Sequence, residues 1–286
     1  MTPVYVINLD RQPERWARLR RNADEIGLIL HRVSALDRKK DFGIALQNEF
    51  FGQNSDRVLQ VSKGDICCSL SHVRAWREFL NSNAPVAVIL EDDALIDWEV
   101  LSYLGEDFNR KAAEFDLNCI KLECVPDDRT HRRVRRPLGK FLGKGSTRSS
   151  GCVYRLHGPF LGAGAYWITR GAVLDIFATH QYLRFPIDHF LFNPTIDGAF
   201  ATIKPGFVSP APVLHDLFAF ESDLATHRAH NLNRFDAKAK GGRLPELRRK
   251  LKQEVGGLRR AFHKARGARK VCVEFAGDRN KETHDQ

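Results

Sequence analysis

Residues 86–93 read Val-Ala-Val-Ile-Leu-Glu-Asp-Asp, an apolar run that ends in three consecutive carboxylates. Val86, Val88, Ile89 and Leu90 have the pattern of a buried strand. Three acids at its end cannot all be buried alone, because desolvating an unpaired carboxylate costs several kcal/mol. They fit the carboxyl edge of an open α/β sheet, where such folds bind ligands. Acids one residue apart can share a divalent cation with a diphosphate, since hard cations take oxygen ligands. A charged strand-to-loop exit is the plainer reading of the same residues, and the rest of the chain decides between the two.

With 286 residues, 43% of them hydrophobic, the chain can build one large domain or two small ones around a real core. No run of 18 apolar residues occurs, so the sequence predicts no membrane span. The first residues, Met1-Thr2-Pro3-Val4-Tyr5-Val6-Ile7, lack a basic region and a long apolar stretch, and read as a strand and not a signal peptide. Cys67, Cys68, Cys119, Cys124, Cys152 and Cys272 show neither CxxC nor zinc-type spacing. Reduced thiols in the cytosol are the simplest expectation.

The net charge of +10 is unevenly placed. Residues 225–286 hold 17 Lys and Arg against 7 Asp and Glu, which leaves 28 of each in residues 1–224. The body is neutral and the tail carries the excess. Leu244, Leu247, Leu251, Val255, Leu258 and Phe262 recur at spacings of three and four among dense Arg and Lys. This is the pattern of a basic amphipathic helix, weakened at Gly256-Gly257. It suits an anionic membrane surface, or else packs its stripe on the body with its charges in solvent. No nucleic-acid motif is present.

Alternating patterns predict an α/β fold with a largely parallel sheet. Residues 3–9 read as a strand and 13–27 as a helix with Pro13 in its first turn. His31–Ala35 read as a second strand, and residues 40–63 as polar and irregular. Gly64-Asp65 opens a helix to Asn81 with Asp65 as its N-cap. Residues 98–113 read as one helix, 118–122 as a strand, and 126–150 as a long loop rich in Arg and Lys. Gly162–Ile168 form a turn entering a strand, Arg170–Thr179 a helix, and 207–214 an extended stretch. Gly241-Gly242 marks a boundary between a body (1–240) and a tail (241–286).

Several segments together resemble glycosyltransferase family 25, which includes bacterial lipooligosaccharide galactosyltransferases. The first is Val4-Tyr5-Val6-Ile7-Asn8-Leu9-Asp10-Arg11-Gln12-Pro13-Glu14-Arg15. Gly64-Asp65-Ile66-Cys67-Cys68-Ser69-Leu70-Ser71-His72 is similar to a Gly-x-x-Gly-Cys-x-x-Ser-His segment, with Cys67 where glycine is usual. Leu90-Glu91-Asp92-Asp93, Gly162–Gly171, Pro186-Ile187-Asp188 and Ser222-Asp223-Leu224 follow in the family's order. The set covers residues 3–224 and leaves the tail outside. The resemblance implies a GT-A-like, Rossmann-like nucleotide-sugar-binding domain, a UDP-sugar donor and inversion at the sugar carbon. His215 stands where members often carry glutamine.

Transfer from such a donor needs a grip on the nucleotide, neutralisation of the leaving diphosphate and a base for the acceptor hydroxyl. Asp93 is the expected direct metal ligand, with Glu91, on the same side of an extended segment, touching ribose or metal-bound water. Asp92 points into the sheet or accepts sugar hydroxyls. An all-oxygen set suits Mn²⁺ or Mg²⁺, and His215, if it ligates, tilts the choice to Mn²⁺. Asn8, Asp10 and Arg11 close the first strand, where base and ribose would dock; helix capping is the other reading of Asp10. Arg15 lies one turn on from Arg11, so both can face the diphosphate. Asp37 either bonds uracil or ribose or caps its own turn. His72 either faces the site or satisfies a backbone carbonyl. Asp188 is the expected base, against a helix-capping alternative. Gly162 and Gly164 would let backbone approach the sugar.

The leading expectation is a metal-dependent inverting galactosyltransferase, cytoplasmic or on the inner face of the membrane. Its acceptor would be a lipopolysaccharide, lipooligosaccharide or capsule glycan. The competing expectation is a nucleotide-sugar- or glycan-binding protein on a transferase scaffold that no longer turns over.

Overall fold

The computed structural model describes residues 2–52, 61–124, 136–146, 151–215, 257 and 261–277. Its centre is a nine-stranded sheet. In chain order the strands are β1 (Val4–Asn8), β2 (Leu30–Ser34), β3 (Val86–Glu91), β5 (Cys119–Lys121), β7 (Leu138–Lys144), β8 (Cys152–Leu156), β9 (Ala165–Thr169), β10 (Pro205–Ser209) and β12 (Arg269–Lys270). Across the sheet the order is β12-β7-β8-β10-β5-β9-β3-β1-β2. β2, β1 and β3 pair in parallel, as do β5 and β10, while β9 runs antiparallel between β3 and β5. β8 is antiparallel to β10, and β7 to β8. The α/β class holds, with the shared strand direction interrupted at β9, β8 and β12.

β3 is buried throughout its apolar run because both faces of the sheet are covered. Ala87 and Ile89 join one core with Tyr5, Ile7, Trp76, Phe79 and Tyr166. Val88 and Leu90 join the other with Val4, Val6, Leu19, Phe108 and Trp167. Each of the larger of these side chains contributes about 1.5–3 kcal/mol by leaving water. The first core is roofed by α3 (Lys63–Asn81), α5 (Arg170–Thr179) and α6 (Ile187–Phe192); the second by α1 (Pro13–Glu25) and α4 (Glu106–Glu114).

Several local expectations need correction. The N-cap of α3 is Ser62, not Asp65. Asp65 is the third helical residue of a capping box: its amide donates to Ser62 Oγ at 3.0 Å and its carboxylate accepts from the Ser62 amide at 3.3 Å. Within the expected irregular stretch lies α2 (Ile44–Phe51), formed because it buries Phe50 and Phe51 against the core. The expected helix 98–113 is broken at Gly105 into a 3₁₀ turn (Trp98–Tyr103) and α4. The expected basic loop contains β7, which carries Lys140 and Lys144; residues 126–135 and 147–150 of it lie outside the described residues. Ser222-Asp223-Leu224 and residues 244–256 of the tail helix also lie outside them.

The last described segment, 261–277, returns to the body. β12 adds antiparallel to β7, the Phe275 backbone bridges to Ala211, and Val271, Val273 and Phe275 join the core.

A second, three-stranded sheet positions the site. It consists of β4 (Ala94–Ile96), β11 (Val213–His215) and β6 (Glu123–Cys124), in the order β4-β11-β6. β11 pairs antiparallel with β4, placing His215 opposite Ala94, the residue after Asp93. It pairs in parallel with β6, placing Val213 opposite Glu123. Residues 90 to 121 positions apart in sequence are thereby set side by side.

Candidate active site

The carboxyl ends of β1, β2 and β3 open into one cavity. Its walls include Leu9, Arg11, Gln12 and Arg15 after β1, Leu36, Asp37 and Arg38 after β2, Gly64, Cys68 and Ser71 on α3, and Glu91, Asp92 and Asp93 at the end of β3. The acidic triplet therefore lies at the sheet's carboxyl edge, facing three arginines.

The three acids have separate partners. Glu91 Oε1 lies 3.1 Å from His72 Nε2. Asp92 turns inward and is buried; Asn8 Nδ2 donates to it at 2.8 Å and Arg15 Nη1 at 3.3 Å. Burial pushes its pKa up to about 6, the bond from Asn8 and the Arg15 charge notwithstanding, and the Asp93 charge adds to the rise. Asp93 Oδ2 lies 3.1 Å from His215 Nε2, while Asp93 Oδ1 is buried with no hydrogen-bond partner among the described residues.

Behind Asp93 runs a chain of buried charge. His215 Nδ1 is 3.9 Å from Glu123 Oε2, an ionic contact beyond hydrogen-bond reach. Lys121 Nζ is 2.9 Å from Glu123 Oε1, and both side chains are fully buried. The lysine also donates to the carbonyls of Phe160 (3.0 Å), Leu161 (3.2 Å) and Gly162 (2.6 Å). Those bonds use the three hydrogens of its ammonium, so its contact with Glu123 is electrostatic. Burial by itself would raise Glu123, but the Lys121 charge and then His215 outweigh it and hold the carboxyl at about 2. Burial likewise opposes a charged His215, yet Asp93 and Glu123 push its pKa up to about 11. Asp93 is in turn held below the usual carboxylate range: burial opposes this and the His215 charge prevails.

Gly162 and Gly164 serve this chain. Gly162 has φ +103, and a Cβ there would stand 2.7 Å from Glu123 Oε1. A Cβ on Gly164 would stand 2.5 Å from Glu123 Oε2. In this geometry the two glycines make room for a buried carboxylate. The Gly162 amide donates to Asp188 Oδ2 at 3.2 Å, and Asp188 Oδ1 accepts from the His189 amide at 2.8 Å. Asp188 is thus connected to the cavity wall through Gly162, Lys121, Glu123, His215 and Asp93.

The nucleotide-side residues divide. Arg11 and Arg15 both line the cavity, Arg11 with its Nε 2.6 Å from Asp37 Oδ2. Asp37 also accepts from the Lys39 amide, so it holds its own turn and Arg11 together. Asn8 is a buried strut: it donates to Asp92 and to the Gln12 carbonyl, and accepts from Arg32 Nε at 2.8 Å. Asp10 is exposed and faces β2, bonded to Arg32 Nη2 at 2.6 Å and Ser34 Oγ at 2.9 Å. The Arg32 bond holds its pKa below normal. Among the described residues the partners of His72 are side chains and not carbonyls: its Nδ1 lies 2.9 Å from the Tyr166 hydroxyl.

Lys121 and Glu123 received no role from the sequence. A signal was present: opposite charges two apart within Cys119-Ile-Lys-Leu-Glu-Cys124 point to one face of an extended segment.

A divalent cation fits the Asp93 and His215 end of this chain. Asp93 Oδ1 offers an unpartnered buried oxygen, and His215 is held within ionic reach of two carboxylates. Without metal, His215 keeps its proton at pH 7.5. A metal held by its imidazole nitrogen must displace that proton. Calorimetric titration with Mn²⁺ in buffers of different ionisation enthalpy is expected to report release of about one proton per ion. Release of none would remove His215 from the ligand set.

The family described as glycosyltransferase family 25 (LPS biosynthesis protein) matches residues 1–191, and the chain belongs to it. A Glycosyltransferase 25 family member from Aedes aegypti is 31% identical over 97 residues, 32% of this chain and 16% of its own length. Procollagen galactosyltransferase 1 from Danio rerio is 25% identical over 200 residues, 66% of this chain and 32% of its own. The Probable inactive glycosyltransferase 25 family member 3 from Rattus norvegicus is 32% identical over 124 residues, 40% and 21% respectively. The chain thus spans about a third or less of each of these relatives. Among solved structures, UTP-bound UGPase from Acinetobacter baumannii overlaps 86% of this chain and 98% of its own at 12% identity. Its TM-score of 0.34 is too low to carry an argument.

Proposed function

We propose that this chain is a metal-dependent, inverting glycosyltransferase that moves galactose from UDP-galactose to a glycan of the lipopolysaccharide or lipooligosaccharide class. The observation that carries the reading is the cavity at the sheet's carboxyl edge. There Arg11, Arg15 and Arg38 face the acids of β3, and Asp93 is paired with His215. Family membership and the galactosyltransferase named among the relatives support the reaction class and the sugar.

In this reading Asp93 and His215 would hold Mn²⁺ or Mg²⁺, with Glu91 in the same wall, and the chemistry supplied there would be Lewis-acid neutralisation of the departing diphosphate. Arg11 and Arg15 bind the phosphates, and Asp37 orients Arg11. Asn8 acts indirectly by fixing Asp92 and the turn at Gln12. Asp188 takes the proton of the acceptor hydroxyl as that oxygen attacks the anomeric carbon, and the bond from that carbon to the diphosphate oxygen breaks on the opposite side. The Gly162 amide aims Asp188, and Lys121 holds the Gly162 carbonyl from the other end of that residue.

Asp188→Asn tests the base. The amide keeps an oxygen for the Gly162 N–H but cannot take a proton. Transfer is expected to fall about 10²–10⁴-fold with UDP affinity unchanged. An equal loss in UDP affinity would make Asp188 a structural cap.

The inactive relative keeps a second reading in view: a chain that binds a nucleotide sugar or glycan without turnover. UDP binding with no turnover on any donor would favour it.

The basic tail is proposed to hold the protein at an anionic membrane surface on the cytoplasmic side. Among the described residues no helix is long and apolar enough to cross a membrane. Because residues 261–277 pack on the body, the test is charge removal and not truncation. Replacing Arg248, Arg249, Lys250 and Lys252 with Gln is expected to weaken binding to anionic vesicles by roughly 1 kcal/mol per charge. Unchanged binding would contradict the proposal.

A further inference from the structure

Glu91 takes part in a second arrangement that the transfer chemistry does not use. Cys68 and His72 lie one turn apart on α3 and so share a face. Glu91, at the end of β3, stands against both: His72 Nε2 is 3.1 Å and Cys68 Sγ 3.8 Å from the same oxygen, Oε1. One ligand atom from each of the three falls within 4.8 Å of the others. A tetrahedral zinc ion, with bonds of about 2.3 Å to sulfur and about 2.0–2.1 Å to nitrogen and oxygen, sets such atoms roughly 3.3–3.5 Å apart. Two of the three separations already lie within about half an ångström of that range.

The imidazole is held from its Nδ1 side by two buried aromatic residues. His72, Tyr166 and Trp76 are fully buried, and Trp76 Nε1 donates to the Tyr166 oxygen at 2.9 Å. The Tyr166 hydroxyl stands 2.9 Å from His72 Nδ1. Because Glu91 as a carboxylate only accepts, the neutral ring carries its proton on Nε2 and accepts at Nδ1 from Tyr166. Ligation through Nε2 moves that proton to Nδ1. The Tyr166 oxygen, with two lone pairs, can accept from both Trp76 and His72. Cys68 is half-buried and, with Glu91, lines the cavity, so an ion can enter from there and its fourth position opens toward the same space.

A thiolate with an imidazole selects a borderline-soft cation over Mg²⁺ or Mn²⁺. We propose that Cys68, His72 and Glu91 form a Zn²⁺ site in the wall of the cavity, separate from the Asp93 and His215 position, and that Zn²⁺ bound there obstructs the nucleotide. The obstruction rests on the donor reading of the cavity; the site itself does not.

The test uses the full chain stripped of metal, with Co²⁺ as a spectroscopic probe. One equivalent of Co²⁺ is expected to give a thiolate-to-cobalt charge-transfer band in the near ultraviolet, and Zn²⁺ to abolish it. Cys68→Ser, close in size and at a half-buried position, is expected to lose the band and bind Zn²⁺ at least ten-fold more weakly in chelator competition. Cys68→Ala serves if circular dichroism shows the serine variant misfolded. Absence of the band in the native chain, or its survival in the Cys68 variant, overturns the site. UDP affinity of the native chain is expected to fall at least ten-fold with one equivalent of Zn²⁺, and not to respond in the Cys68 variant. Zn²⁺ binding that leaves UDP affinity unchanged overturns the obstruction. Failure of UDP to bind under any metal condition would instead count against the donor reading and leave the cobalt result standing.

Discussion

Asp93→Ala is expected to lower glycosyl transfer by about 10³-fold or more while the fold survives. Lewis-acid stabilisation of a leaving diphosphate is worth several kcal/mol, and about 1.4 kcal/mol is tenfold in rate. The fold should persist because Asp93 sits at a strand exit, and its partner His215 keeps Glu123 within ionic reach at 3.9 Å. The loss should appear in kcat with Mn²⁺ saturating, and Mn²⁺ affinity should fall with it. Steady-state kinetics beside a Mn²⁺ titration checks both. A variant with Mn²⁺ affinity intact would place the ion elsewhere, and a variant retaining a tenth of the activity would remove the ion from the rate-limiting chemistry.

Lys121→Met is expected to be the most destabilising single change in the network. Lys121 and Glu123 are buried, with 0% and 1% of their side chains exposed. Removing the lysine leaves Glu123 as a buried charge with His215 as its remaining cationic neighbour among the described residues, and takes the donor away from three carbonyls. Breaking a buried pair in this way costs about 3–5 kcal/mol. For a domain of this size that is roughly 10 °C in Tm. Adding Glu123→Gln to Lys121→Met should recover part of the loss, because the uncompensated charge is then gone. Denaturant unfolding of the single and double variants measures this. A single-variant cost below about 1 kcal/mol would mean that water reaches the pair. The same change should lower transfer beyond its effect on stability, since the carbonyl of Gly162 loses its anchor while its amide aims Asp188.

The two predictions share one structural cause, and that cause was only half legible in the sequence. The acids of β3 could be read as a site because an apolar run cannot end in three buried charges without a reason. Arg11 and Arg15 both line the cavity, but Arg11 stands in the turn before α1 and not one helical turn from Arg15, so the spacing argument does not account for the pair. The small sheet could not be read. β4 and β11 are separated by more than 100 residues, and nothing local tells a three-residue strand which partner it will meet. Without that pairing, Glu123 and Lys121 are two charges in a short strand, and Gly162 and Gly164 read as room for a sugar. With it, the glycines are seen to clear space for Glu123.

Other misreadings have local causes. Asp65 looked like a cap because the capping-box partner, Ser62, lies before a glycine that seemed to start the helix. Phe50 and Phe51 form part of α2 because of what they pack against, which propensity does not report. Asp10 was grouped with the nucleotide-binding residues by its position after β1. The arginine and serine on β2 hold it to the strand edge instead.

The proposed activity is transfer from a UDP-sugar, dependent on a metal that Asp93 and His215 would hold. The most direct measurement is UDP release from a panel of UDP-sugars with Mn²⁺ and with EDTA. The expected result is slow hydrolysis of UDP-galactose in the absence of acceptor, abolished by EDTA and by Asp93→Ala. No turnover of any donor, together with UDP affinity unchanged by EDTA, would contradict it and leave a nucleotide-binding protein in its place.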